Sequence, residues 1–414
     1  MTAPDRAVTG LLAGCLVFYL LLMALDGAGI PWSPLTLIPA LGLAAFLAHR
    51  FTRWASSEAP ARFPSDLGWG DAVALAALGV FALFSLTLWN AIPDFIYHWG
   101  IKGHRFYLER GIDFEYLARS WNWPIHPDYP NLLPILFAAT AILGGGFREP
   151  VMMLWSTVWL AAMLLAAREV LRRWAPDRFV RQAALAVAAL VLAGFGIGHL
   201  MAAAADWMIA LALLAAVPAL LAPPGRDGDF QIGCAAAFAA ASKTEGLPLA
   251  ALLVLVQFVR HLAFTRPGLS GLVRSALRLG LPVAAVALPW LAAVRHHGLF
   301  QDYNAGSFDW SRASLIFPAL WDSVRGGAWH RLELGLALLP LLALDRRLRP
   351  LAAVASLQLA FYLYVYFSAR VDVVFLVESS FPRLVLHLLP AILVGAAVAF
   401  PVKKETAGIS AGRS

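Results

Sequence analysis

Apolar runs of roughly 15–22 residues follow one another along almost the whole chain, without the every-second-residue alternation of barrel strands. That pattern predicts helices that cross a membrane. The runs place spans near residues 8–25, 35–49, 71–92, 150–167, 182–200, 206–222, 230–242, 247–263, 279–296, 331–344, 350–368 and 384–400, about twelve in all. Two stretches are short. Leu132–Gly145 has about fourteen residues, marginal for a hydrocarbon layer about 30 Å thick, and the run 230–242 is no longer.

Between Pro93 and Pro134 the apolar pattern breaks into a polar, aromatic stretch. It opens on Asp94, directly after a span, and closes on His126, Asp128 and Tyr129, just before apolar sequence resumes. Ionisable groups are costly in hydrocarbon, so a cluster of them beside a membrane marks a place for chemistry.

Composition agrees with the pattern. The chain of 414 residues is 60% hydrophobic and 14% charged, with a mean hydropathy of +0.71. That balance excludes a soluble globular protein of this size, whose surface would need more charge. The fold class is therefore all-α, a polytopic membrane bundle. A net charge of +7 does not point to nucleic acid, because the Lys and Arg sit in short clusters between apolar runs. There they orient the chain and meet anionic membrane lipids. Cys15 and Cys234 lie inside apolar runs and read as small buried hydrophobes. Arg6 precedes the stretch Thr9–Leu25, which has no convincing cleavage site and reads as an uncleaved first span.

The basic clusters assign the sides. With a cytoplasmic N-terminus, Arg50, Arg53 and Arg62 face the cytoplasm, as do Arg168, Arg172, Arg173, Arg178 and Arg181. So do Arg260, Arg266, Arg274 and Arg278, then Arg346, Arg347 and Arg349, and finally Lys403 and Lys404. This requires Leu132–Gly145 to stay on the outer face as a juxtamembrane or re-entrant helix, and 230–242 to cross. The outer face then collects the large first loop 93–149, Asp206, residues 242–246, the loops 296–314 and 321–331, and residues 369–383. Residues 1–404 form one membrane domain, and 405–414 read as a disordered cytoplasmic tail.

Several outer residues carry two readings. Asp94 is either an interfacial helix cap or a general base for a hydroxyl. Lys102 and Arg105 share a helical face, either anchoring an interfacial helix with Trp99, Phe106 and Tyr107 or touching substrate. Trp121 and Trp123 read as interface-belt residues. His126 and Asp128 sit in a proline-restricted turn, and two potential ligands make a weak metal site. Lys243 and Glu245 are either an ion pair at a helix turn or, for Lys243, a phosphate contact. Arg383, after Glu378, offers the same choice.

An outer-face Asp94 after an early span, then Trp99 and Lys102, then the string from His126 to Pro130, resembles the bacterial GT-C superfamily of polyprenyl-phosphate-sugar-dependent glycosyltransferases. The stretch Ser242–Leu247 and the terminal Ser380, Phe381, Pro382 and Arg383 with His387 add to the resemblance, which runs from about Trp89 to Pro390. Its relatives include protein O-mannosyltransferases and aminoarabinose transferases. The resemblance implies a GT-C-like fold with outer-face juxtamembrane helices. It also implies inverting transfer of a sugar from a polyprenyl-phosphate donor to a glycan, lipid or protein acceptor outside the bacterial cytoplasmic membrane. Asp94 matches the family's catalytic base, Lys243 and Arg383 its donor-phosphate cations, and Asp206 a second acidic residue. Lys102, His126, Asp128, Tyr129, Glu245 and Glu378 join them as substrate-binding candidates. Two extra spans before the Asp94-bearing one, and no large soluble domain, depart from the family pattern. The chemistry requires no cofactor, and a divalent metal finds no good ligand cluster. The alternative from another class is a transporter or lipid-linked sugar flippase, which would carry charges at mid-depth and internal repeats.

Overall fold

Helices carry the whole architecture of the computed structural model, which describes residues 3–55, 67–175, 177–265, 268–299, 306–326 and 330–399. In chain order they are α1 (Ala3–Gly27), α2 (Pro34–Ala55), α3 (Trp69–Thr87), α4 (Gly100–Glu109), α5 (Phe114–Ala118), α6 (Leu132–Leu143), α7 (Glu149–Trp174) and α8 (Arg178–Gly198). There follow α9 (Asp206–Leu221), α10 (Arg226–Ser242), α11 (Gly246–Phe264), α12 (Leu269–His296), α13 (Ala313–Arg325), α14 (Leu339–Leu344), α15 (Arg349–Ser368) and α16 (Val373–Ala399). No strand occurs among the described residues.

Among those residues nine helices are long and apolar enough to cross a membrane: α1, α2, α3, α7, α8, α11, α12, α15 and α16. The chain is a multi-pass membrane protein. The other three expected spans correspond to α9, α10 and a 3-10 segment, 330–338, that runs into α14. Of the basic residues used to assign sides, Arg62, Arg266, Lys403 and Lys404 lie outside the described residues. So do the 405–414 tail, residues 300–305 and 327–329 of the outer loops, and the side chain of Trp123.

α9 is the centre of the bundle. Every residue from Asp206 to Leu220 is buried, because α7, α10 and α16 pack around it. A helix enclosed on all sides needs no polar face, which is why its sequence is apolar all round. At 16 residues it is about 24 Å long, and α10, with 17, is only slightly longer, whereas α16 runs 27 residues and about 40 Å. The start of α9 therefore meets α16 partway along its length, where Asp206 lies beside Arg383 and His387.

Two expectations change. Residues 369–383 do not form an outer loop, since α16 starts at Val373 and carries Glu378 and Arg383 on a continuous helix. The polar residues that broke the hydropathy pattern are absorbed by the helix itself. Ser379 Oγ donates to the Phe375 carbonyl at 2.7 Å and Ser380 Oγ to that of Leu376 at 2.6 Å. Similarly α12 begins at Leu269, ten residues before the apolar run at 279.

Leu132–Gly145 contains only the 12-residue α6, about 18 Å long and too short to cross. Ten of its residues are buried against neighbours that include α1, α2, α4 and α7. The approach to α4 is close: a Cβ at Gly103 would stand 2.7 Å from the Phe137 Cβ, so only glycine fits there. Through α4 packed on α6, the Pro93–Asn131 segment is tied to the bundle.

Candidate functional site

Four distant parts of the chain bring charge to one place. Asp94 ends the loop after α3, Asp206 opens α9, Lys243 and Glu245 link α10 to α11, and Arg383 projects from α16. Arg383 Nη1 donates to Asp94 Oδ1 at 3.0 Å, and its Nε lies 3.8 Å from Asp206 Oδ1. Lys243 Nζ bridges Asp206 Oδ1 at 3.1 Å and Glu245 Oε1 at 3.0 Å. His387, one turn beyond Arg383, sets its Nε2 2.9 Å from the same Asp206 oxygen, while its Nδ1 lies 2.6 Å from the Tyr362 hydroxyl. The second oxygens of Asp94 and Asp206 are buried without a hydrogen-bond partner. Such atoms in a low-dielectric setting are costly unless something else uses them.

These contacts choose among the sequence readings. Asp94 precedes a wide π-type turn at 95–99 but its side chain caps nothing, so the interfacial-cap reading does not describe it. Lys243 forms the expected ion pair with Glu245, yet it does not snorkel: its side chain is 1% exposed and reaches inward to Asp206.

Beside this network lies a cavity of about 510 Å³ between α15, α16 and the loop segments. Arg383, Glu245, Thr244, His126 and Tyr129 line it with polar and ionisable groups, as do Tyr362, Tyr366, Ser379 and Ser380. Phe361, Val365, Phe375, Leu376 and Leu384 make the rest apolar. Arg383 is the member of the network with a guanidinium, 27% exposed, on that wall. Asp94, Asp206 and Lys243 do not line the cavity; Asp206 and Lys243 are buried, and Asp94 is 22% exposed. Tyr129 stacks on His126 with centroids 4.5 Å apart and turns its ring towards Lys243 Nζ, 5.9 Å away.

Lys102 is not at a surface. It is fully buried behind the wall, with Nζ donating to the His126 carbonyl at 3.3 Å and lying 4.6 Å from the Trp99 ring centre. Burial pushes its pKa down to about 7, opposed by nearby Asp128. Burial likewise pushes Asp128 up to about 6 and His126 down to about 3, and holds His98 well below the ordinary histidine range. Arg105 does not share the site, being paired with Asp113. Glu378 is exposed and does not line the cavity. Trp121 is exposed, as a belt residue would be. Among the described residues no three His, Cys, Asp or Glu side chains gather as a metal site.

Sequence reasoning passed over Tyr362 and His98, and it gave Trp99 and His387 no role in the site. His387 carried a signal, an ionisable residue inside an apolar run. Tyr362 and Tyr366 carried another, four residues apart on one face of α15.

A second buried polar group occupies the opposite end of α10. Asp229 Oδ1 lies 2.6 Å from His261 Nε2 and accepts from Gln257 at 3.1 Å, and Oδ2 accepts from Ser275 Oγ at 2.7 Å. The residue types are those of a nucleophilic triad, but the geometry is not. Ser275 and Asp229 both meet Nε2 of His261, so no base is left for the hydroxyl.

Comparison of the chain with protein-family models, with curated proteins and with solved structures returns no match.

Proposed function

We propose that this chain is an inverting glycosyltransferase that moves a sugar from a polyprenyl-phosphate donor to an acceptor hydroxyl on the outer face of a bacterial cytoplasmic membrane. In this reading α9, α10 and the 330–344 segment complete twelve crossings of a GT-C-like bundle, with both termini cytoplasmic. One observation carries the reading: a charged network places a guanidinium on the wall of a cavity whose remaining lining is largely aromatic and apolar. That shape suits an amphiphile with an anionic head. Carbohydrate and isoprenoid surfaces both pack on aromatic rings, and a planar guanidinium is suited to phosphate oxygens.

The proposed step needs few groups. The acceptor oxygen attacks the anomeric carbon, the carbon–oxygen bond to phosphate breaks, and the bonding pair leaves with polyprenyl phosphate. Arg383 takes the departing negative charge. Asp94, whose side chain is 22% exposed beside Arg383, takes the acceptor's proton. Because Arg383 already holds the other Asp94 oxygen, one guanidinium ties base to leaving group. Lys243 and His387 hold Asp206 in place, and Asp206 in turn flanks Arg383.

The test is direct. Purified protein in lipid nanodiscs receives a labelled polyprenyl-phosphate sugar with and without a hydroxyl acceptor. Acceptor-dependent release of polyprenyl phosphate is expected. Movement of the intact donor across a liposome membrane without bond cleavage would replace this reading with a flippase.

A further inference from the structure

The turn that contributes His126 and Tyr129 to the cavity wall is strained. His126 has φ +49°, a left-handed conformation that a side chain other than glycine adopts at a cost. Its carbonyl accepts from Tyr129 N at 3.1 Å, closing the turn, and from Lys102 Nζ at 3.3 Å. Trp290 Nε1 of α12 donates to the Asp128 carbonyl at 2.9 Å and ties the turn to the bundle. A wholly buried lysine is costly to keep, so one whose hydrogen bond goes to a strained carbonyl calls for a reason.

We propose that Lys102 is a positioning residue: from behind the cavity wall it holds the His126–Tyr129 turn so that the Tyr129 ring faces Lys243. The proposal rests on the glycosyltransferase reading for its effect on catalysis, but not for its effect on the turn. It also moves Lys102 from substrate contact to wall support.

The support titrates. The groups around Lys102 are His98 of the π-type turn and His126 and Asp128 of the strained turn, with α6 presenting apolar side chains and Asn131. Lys243 and Arg383 act on both histidines, and Glu245 acts on His126. Both histidines are held neutral well below pH 6, which leaves Lys102 and Asp128 to change charge near neutrality. Below about pH 7 Lys102 donates as an ammonium, a stronger donor than the neutral amine it becomes above that pH.

The experiment follows hydrogen exchange over residues 126–131 in nanodiscs without substrate, corrected for intrinsic chemistry, in wild type, Lys102→Met and Lys102→Arg. Wild type should lose protection between pH 6 and 8. K102R should keep protection across that range, and K102M should be poorly protected throughout, with an unfolding midpoint at pH 6.5 no lower than wild type. In the transfer assay K102M should raise the donor KM by about tenfold with little change in kcat, and K102R should restore it at pH 8. Unchanged exchange in K102M, or a global rise in exchange with a lowered midpoint, would overturn the proposal. If the exchange behaves as expected and wild type still transfers no sugar, the positioning role stands and the glycosyltransferase reading fails.

Discussion

The two ends of the α9–α10 hairpin carry buried carboxylates with opposite fates. At one end Asp229 is saturated: His261, Gln257 and Ser275 fill both of its oxygens. At the other, Asp206 crowds Lys243 and His387 onto one oxygen with Arg383 close by, while its second oxygen has none. Asp94 repeats that asymmetry. A closed network stitches α10, α11 and α12 together and has nothing left to offer a ligand. An open one, beside a cavity of about 510 Å³, keeps unspent bonding capacity where a ligand can reach a neighbour. Residue type does not separate them, since the closed network holds the Ser, His and Asp of a familiar catalytic set. Spare capacity does.

Substitutions should separate the two ends. The largest effect is expected at the open end: Asp94→Asn should lower transfer by roughly 10²–10⁴-fold, the range of a lost general base, with an unchanged unfolding midpoint. Retained transfer in a purified lipid-donor assay would remove Asp94 from the chemistry. At the closed end Asp229→Asn should lower stability by roughly 3 kcal/mol, as breaking a buried pair does, while activity per folded molecule stays at the wild-type level. Denaturant unfolding and transfer on the same preparation would read both. Ser275→Ala should cost about 1 kcal/mol and leave transfer unchanged, whereas a serine nucleophile would lose nearly all activity.

The smallest effect is in pH dependence. Asp128 is raised from 3.8 to about 6 in the folded protein, so between those values the folded state binds more protons and stability falls as pH rises. Lys102 is lowered from 10.5 to about 7, so stability recovers as pH climbs through that second window. Asp128→Asn should flatten the first window, measured as unfolding midpoints at pH 4 and 6.5, and move the Lys102 window to lower pH by removing the carboxylate that opposes its shift.

Much of this site was legible along the chain, but not its assembly. Asp94, Asp206, Lys243, Glu245 and Arg383 each interrupt apolar sequence, and interruption is a local signal. Their meeting depends on α9 and α10 being short and on α16 passing beside them, which no local pattern encodes. The start of α16 was hidden because Ser379, Ser380 and Pro382 lower hydropathy without ending the helix. Glu378 looked like a partner of Arg383 in sequence, yet it is exposed and away from the cavity. Lys102 looked like a headgroup cation because sequence gives no depth; its burial comes from α4 lying on α6.

The pair Lys243–Asp206 has a further consequence, for how the protein is made. Both residues belong to one helical hairpin, α9 and α10, whose two helices each fall short of a full hydrocarbon span. Opposite charges at the mouth of one hairpin can neutralise each other as it enters the bilayer, long before α16 has been synthesised. Arg383 and His387 arrive last, on the final described helix. The nascent chain can therefore carry a self-compensated pair through insertion, and the full charged network exists only once α16 has been synthesised.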